Sequence, residues 1–190
     1  MIRPVVHYGE PILRQKGKPV GEITAEVRAF VADLFDTMYE AKGIGLAAQQ
    51  AGRAWQIFII DVRGVTDRPS TIEWEGHPPE VERCMPLVFI DPKVRPLGAE
   101  AAGPEGCLSF PELYADISRP ESTEVEARDL DGNPFRFRCG GLLARAIQHE
   151  YDHLQGVLFI DRMSRKTREE LKADIDEIQA ETKRRIKGAG

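Results

Sequence analysis

The chain has 190 residues, 26 basic against 31 acidic side chains and a formal net charge of −5, with 42% hydrophobic and 30% charged residues. That is the composition of a globular domain with a real core, which excludes a disordered chain and gives no electrostatic footprint for wrapping nucleic acid. The longest apolar runs, such as 57–60 and 87–90, are too short to span a bilayer, the start lacks a secretory apolar core, and three scattered cysteines make no disulfide framework, so a cytoplasmic protein with neither membrane nor disulfide partner is expected.

Behind Thr24, which suits an N-cap, Val27, Phe30, Val31, Leu34 and Met38 recur at helical spacing, and Gly43 is the expected stop. The next segment, Gly43-Ile44-Gly45-Leu46-Ala47-Ala48-Gln49-Gln50, combines glycines and alanines, so its backbone can approach another group closely, and a carboxamide there can donate to an oxyanion. Residues 56–62 and 86–91 read as buried strands, each finishing in Asp before a turn or loop, and 64–85, with Pro69, Pro78 and Pro79, reads as a long loop between them. Residues 123–129 and 135–138 alternate in polarity around Asp131-Gly132, which predicts a hairpin. A helix is expected from Leu142 to about Leu154, stopped by Gly156. A last helix, 167–187, begins at a Thr167/Glu170 capping box and carries Leu171, Ile175, Ile178 and Ile186 on one stripe. This order argues for an α+β fold: mostly antiparallel strands around a central helix, with an amphipathic helix in the N-terminal half and a C-terminal helix, in a single domain over 1–190.

The central helix carries His149-Glu150-Tyr151-Asp152-His153, an H-E-x-x-H sequence. The i, i+4 spacing puts both imidazoles on one face, close enough to share a metal ion, with Glu150 beside them as a candidate base. Phe159 stands where a metzincin carries its third histidine, so that class is excluded. Cys107, in the glycine-flanked segment Glu105-Gly106-Cys107-Leu108-Ser109, is the stronger candidate for third ligand, because a thiolate with two imidazoles leaves one position open for water. Glu169, Glu170 and Glu177 are the alternative and would make the chain an H-E-x-x-H metallopeptidase with a glutamate third ligand. Their strongly charged helix is more economically read as a solvated face. Cys84 and Cys139 read as small buried hydrophobes.

These three segments, the last extended to Leu154-Gln155-Gly156, resemble the three signature motifs of peptide deformylase in family order, and the flanking sequence from about 5 to 165 is similar as well. The resemblance implies a metal-dependent hydrolase that removes the formyl group from the N-terminal formyl-methionine of newly made polypeptides, releasing formate. It implies Cys107, His149 and His153 as ligands of one divalent metal ion, ferrous iron in most members, with zinc, nickel or cobalt also accommodated. Glu150 would be the general base, with the Gln50 side chain and the Leu108 backbone N–H donating to the oxyanion. Gly45 and Gly106 would offer backbone groups to an extended peptide. Positions 142, 145 and 146 share a helix face with His149, so Leu142 and Ala146, together with Ile44, are the expected methionine pocket. Arg145 departs from the apolar residue often found there; in one reading its stem lines the rim with its charge in water, and in the other, equally weighted, it is a surface arginine with no substrate role. Tyr114 stands where some bacterial members carry an arginine near the substrate chain. Lys183, Arg184, Arg185 and Lys187 suit the C-terminal end of a helix dipole. Some relatives use that helix on the ribosome, so a transient ribosome contact is a further expectation for a cytoplasmic, bacterial-type enzyme, an organelle form also being compatible.

Overall fold

The computed structural model of the protein describes residues 1–188. Residues 189–190, the end of the expected 1–190 domain, lie outside the described residues. The α-helices are α1 (Ala25–Glu40), α2 (Val81–Cys84), α3 (Gly141–Leu154), α4 (Arg165–Glu170) and α5 (Lys172–Gly188). The strands are β1 (Gly45–Ala47), β2 (Ile57–Ile60), β3 (Ser70–Trp74), β4 (Leu87–Cys107), β5 (Phe110–Arg128) and β6 (Pro134–Gly140). They pair antiparallel throughout in the order β1-β2-β4-β5-β6-β3, so β1 is an edge strand.

The run Ile57-Phe58-Ile59-Ile60 is apolar without alternation because both its faces are buried. Ile57 and Ile59 pack with Phe30, Leu34 and Met38 of α1, whereas Phe58 and Ile60 pack with Leu143 and Ile147 of α3. Phe58 stacks on Phe89 with ring centroids 4.4 Å apart. A third cluster, around Phe110, Leu113, Ile117, Phe159 and Ile175, joins β5 to the C-terminal helices. The helix that carries H-E-x-x-H is thereby enclosed between sheet and C-terminal segments.

Several boundaries differ from the sequence expectation. Helix α1 ends before Gly43: Lys42 takes the left-handed conformation, with φ of 55°. Gly43 answers a different constraint, since a Cβ there would lie 2.9 Å from Leu108 Cδ1. The strand expected to stop at Asp91 continues to Cys107. Asp91, with φ of 50°, marks a register shift where the strand leaves its pairing with β2 and goes on against β5, so the turn signal is a bulge inside a strand. The expected 64–85 loop holds β3 and the short α2; β3 pairs with β6 and packs Trp74 on Phe135 and Phe137. Ser164, not Thr167, caps the helix at 165, its Oγ accepting the Thr167 N–H at 3.1 Å, and the expected last helix is broken at Leu171. Ile175 is buried, but Ile186 remains 46% exposed at the far end of the stripe.

The N-terminus of α3 is capped from outside. Gly140 offers no side chain, and the Pro69 carbonyl accepts the Leu142 N–H at 3.1 Å while Ser70 Oγ accepts the Leu143 N–H at 3.0 Å. Gly141 must be small there, because a Cβ would lie 2.1 Å from the Pro69 carbonyl oxygen.

Candidate metal centre

One turn of α3 brings His149 and His153 together with ring centroids 5.1 Å apart, both buried. Cys107 arrives from the end of β4, at a register shift between Gly106 and Cys107, with Sγ 3.3 Å from His153 Nε2. One donor atom from each of the three lies within 4.8 Å of the others, the one such cluster of three His, Cys, Asp or Glu side chains among the described residues. Burial, with the positive charges of His149, Arg119 and Arg14, pushes His153 well below the usual imidazole range. Among the described residues three buried side-chain polar atoms lack a hydrogen-bond partner, and one of them, Glu150 Oε2, lies on the residue next to His149. A cysteine sulfur with two imidazoles is a donor set that fits a borderline-soft divalent cation. The glutamates considered as alternative ligands lie elsewhere: Glu169 and Glu170 are exposed and paired with Arg165 and Lys166, and Glu177 is exposed.

Around these residues runs a buried ionic network that the sequence did not announce. Glu105, two residues before Cys107, accepts from His149 Nδ1 at 2.9 Å, from Arg119 Nε at 2.6 Å and Nη2 at 3.1 Å, and from Arg145 Nη1 at 2.9 Å. Arg119, 4% exposed, reaches on to Asp152 at 2.8 Å, which Arg162 also holds at 2.7 Å. Burial alone would raise the Glu105 carboxyl, but the hydrogen bonds from His149 and Arg119 outweigh it and hold its pKa at about 2. A permanently ionised Glu105 fixes the Nδ1–H of His149 and so aims Nε2 away from itself, as carboxylates commonly do for metal-ligating histidines. The available signal was positional: Asp152 lies three residues after His149 on one helix face, and Arg119 occupies an inward position of β5 two residues after buried Ile117.

Glu150 is 5% exposed, and burial pushes its carboxyl up to about 7. It lies on the backbone of β1: a Cβ at Gly45 would come within 2.6 Å of Glu150 Oε1, which explains the glycine. Gln50 Oε1 accepts the Ala47 N–H at 2.9 Å, and that bond orients the amide so that Nε2 points to Ser109 Oγ at 3.2 Å and Cys107 Sγ at 3.5 Å. The Leu108 side chain packs into the α1 core, which holds its backbone at the same place.

Beside the centre a cleft of about 540 Å³ opens between the edge of β1 and the end of β4. Ile44, Gly45, Gly106, Leu142 and Ala146 all line it, as does the stem of Arg145. The Arg145 charge does not reach water as expected. Its guanidinium is taken up by Glu105 and by the Ile117 and Ala101 carbonyls at 2.8 and 2.7 Å, because Gly103 leaves room for it. Tyr114, 68% exposed, lies over Gly106, where a Cβ would meet its ring at 2.6 Å.

The sequence model of the polypeptide deformylase family matches residues 2–169. Among similar proteins, a peptide deformylase of Opitutus terrae is 42% identical over 173 residues, covering 90% of each chain, and one of Methylacidiphilum infernorum is 42% identical over 179 residues, covering 94% of each. Among solved structures, a plant peptide deformylase superposes with a TM-score of 0.82 at 33% identity, covering 96% of this chain and 92% of its own. One from Legionella pneumophila gives 0.79 at 32% identity, covering 97% and 99%. No described helix is long and apolar enough to cross a membrane.

Proposed function

The chain belongs to the polypeptide deformylase family, enzymes that remove the formyl group from the N-terminus of new polypeptides, and we propose that Cys107, His149 and His153 hold its metal while Glu150 performs the proton transfers. The observation that carries this assignment is the meeting of one cysteine sulfur and two imidazoles next to a buried, unpartnered carboxylate. A divalent cation held there acidifies water and polarises a carbonyl, and ferrous iron is the ion proposed, with zinc, nickel or cobalt suiting the same ligands.

The protein groups account for the rest. Glu150, with a pKa raised towards neutrality, takes a proton from the attacking water and passes it to the departing amine. Gln50 Nε2, held by the Ala47 bond, and the Leu108 N–H donate to the formyl oxygen as charge collects on it. Gly45 on the free edge of β1 and Gly106 on β4 give the peptide backbone partners that ignore its side chains, while Ile44, Leu142 and Ala146 receive the methionine. Residues 1–190 act as one catalytic domain in the cytoplasm. Arg185 is engaged by Glu10, so Lys183, Arg184 and Lys187 form the basic end available for transient contact with the polyanionic ribosome.

The decisive experiment is anaerobic purification with metal analysis, followed by formate release from formyl-Met-Ala. Stoichiometric metal and formate are expected; metal retained in full by Cys107→Ala, or cleavage of unblocked peptides instead, would overturn the assignment.

A further inference from the structure

The 64–85 segment, beyond capping α3, contributes one residue to the cleft: Arg68. It is half-buried, and among the described residues its one side-chain hydrogen bond runs from Nη1 to the Pro104 carbonyl at 3.5 Å, which leaves most of its five N–H donors unused. This is exceptional in the molecule. Among the described residues every arginine except Arg68 and Arg184 has a carboxylate within ion-pair distance. Arg184 is an outward residue of α5, but Arg68 stands at the mouth of the site, where a partly desolvated cation without a partner is costly unless something supplies the anion.

The other charges there do not supply it. Glu105 and Arg145 are saturated by the buried network, and Lys42 and Glu112 on the rim are exposed, unpaired and of opposite sign. Arg68 therefore sets the sign of the mouth. Its anchor, Pro104, lies three residues before Cys107 on β4, about 10 Å along the strand at its usual rise, which is the span of two to three residues of an extended peptide. Tyr114 covers Gly106 within that interval.

We propose that Arg68 is a specificity-determining residue that reads an acidic side chain at the second or third position of the formylated peptide. The inference rests on the deformylase reading and adds a sequence preference to it. The test compares formyl-Met-Glu-Ala and formyl-Met-Ala-Glu with their Lys counterparts, on the metal-loaded native enzyme and on Arg68→Gln and Arg68→Glu, with peptide affinity measured in parallel by calorimetry. At low salt the native enzyme favours at least one Glu peptide over its Lys counterpart by about three- to fivefold in kcat/KM and in affinity, as expected for a rim ion pair. The ratio falls towards one in Arg68→Gln, inverts in Arg68→Glu, and shrinks with added salt in the native enzyme. A ratio indifferent to both substitutions and to salt would overturn the role of Arg68. Absence of formate from every peptide would count against the deformylase reading instead, and the affinity ratios would still decide Arg68.

Discussion

At the scale of single residues, the metal centre divides into atoms that act and atoms that aim. Glu150→Gln keeps the volume and the α3 packing but removes the proposed base, so formate release should drop by about 10²–10⁴-fold while metal content, measured on the same sample, stays stoichiometric. Glu105→Gln keeps the volume but offers one acceptor oxygen where His149, Arg119 and Arg145 now share two. It should weaken metal retention by about 10–100-fold in chelator competition, with unchanged ligands. The two histidines, Glu150 and Cys107 were legible in the sequence, because an i, i+4 pair on a helix and a glycine-flanked cysteine carry their geometry locally. Arg119 was not legible: it meets Glu105 only because β5 folds back along β4, and no local pattern states that register. Arg145 misled for the same reason, its acceptors being carbonyls of two strands and the room for it a missing side chain at Gly103.

At the scale of elements, short apolar strands and amphipathic helices could be read from periodicity, whereas the long paired strands could not. Pro96, Gly98, Gly103, Pro104 and Gly106 all lie within β4, and each would ordinarily argue for a loop. Pro96 and Gly98 lie at the register shift between Leu97 and Glu100, and Gly106 at the one before Cys107, where the pairing is interrupted and the strand goes on. The capping of α3 was equally hidden, since its cap comes from residues some seventy positions away. Ser70→Ala leaves the Leu143 N–H without its acceptor and should lower stability by about 1 kcal/mol in urea denaturation. Loss of less than a few tenths would mean that the Pro69 carbonyl suffices.

At the scale of the whole molecule, the sheet has a helix on each face near β2, and the C-terminal segments close over the third cluster. Arg14, from the N-terminal turn, pairs with Asp161 and donates to the Gly156 carbonyl at 3.3 Å, tying the two ends of the sequence together. Burial tends to raise the Asp161 carboxyl, but bonds from Arg14 and the Leu158 N–H bring it below its ordinary value. Its contribution is therefore full above the unfolded carboxyl range and is lost as pH falls through the depressed folded value. Asp161→Asn should cost about 0.5–1 kcal/mol at pH 7, the modest scale of a part-exposed pair, and progressively less as pH falls below the ordinary carboxyl range. Denaturation across that range checks both sign and window. The enclosure of α3 also divides the proposed ligand set by access. His149 and His153 are buried on a helix packed against the sheet. Cys107 is only half-buried, at the tight connection between β4 and β5, and lines the cleft. An oxidant or chelator arriving from solvent therefore meets the sulfur before either imidazole, and the sulfur is the exposed side of the centre.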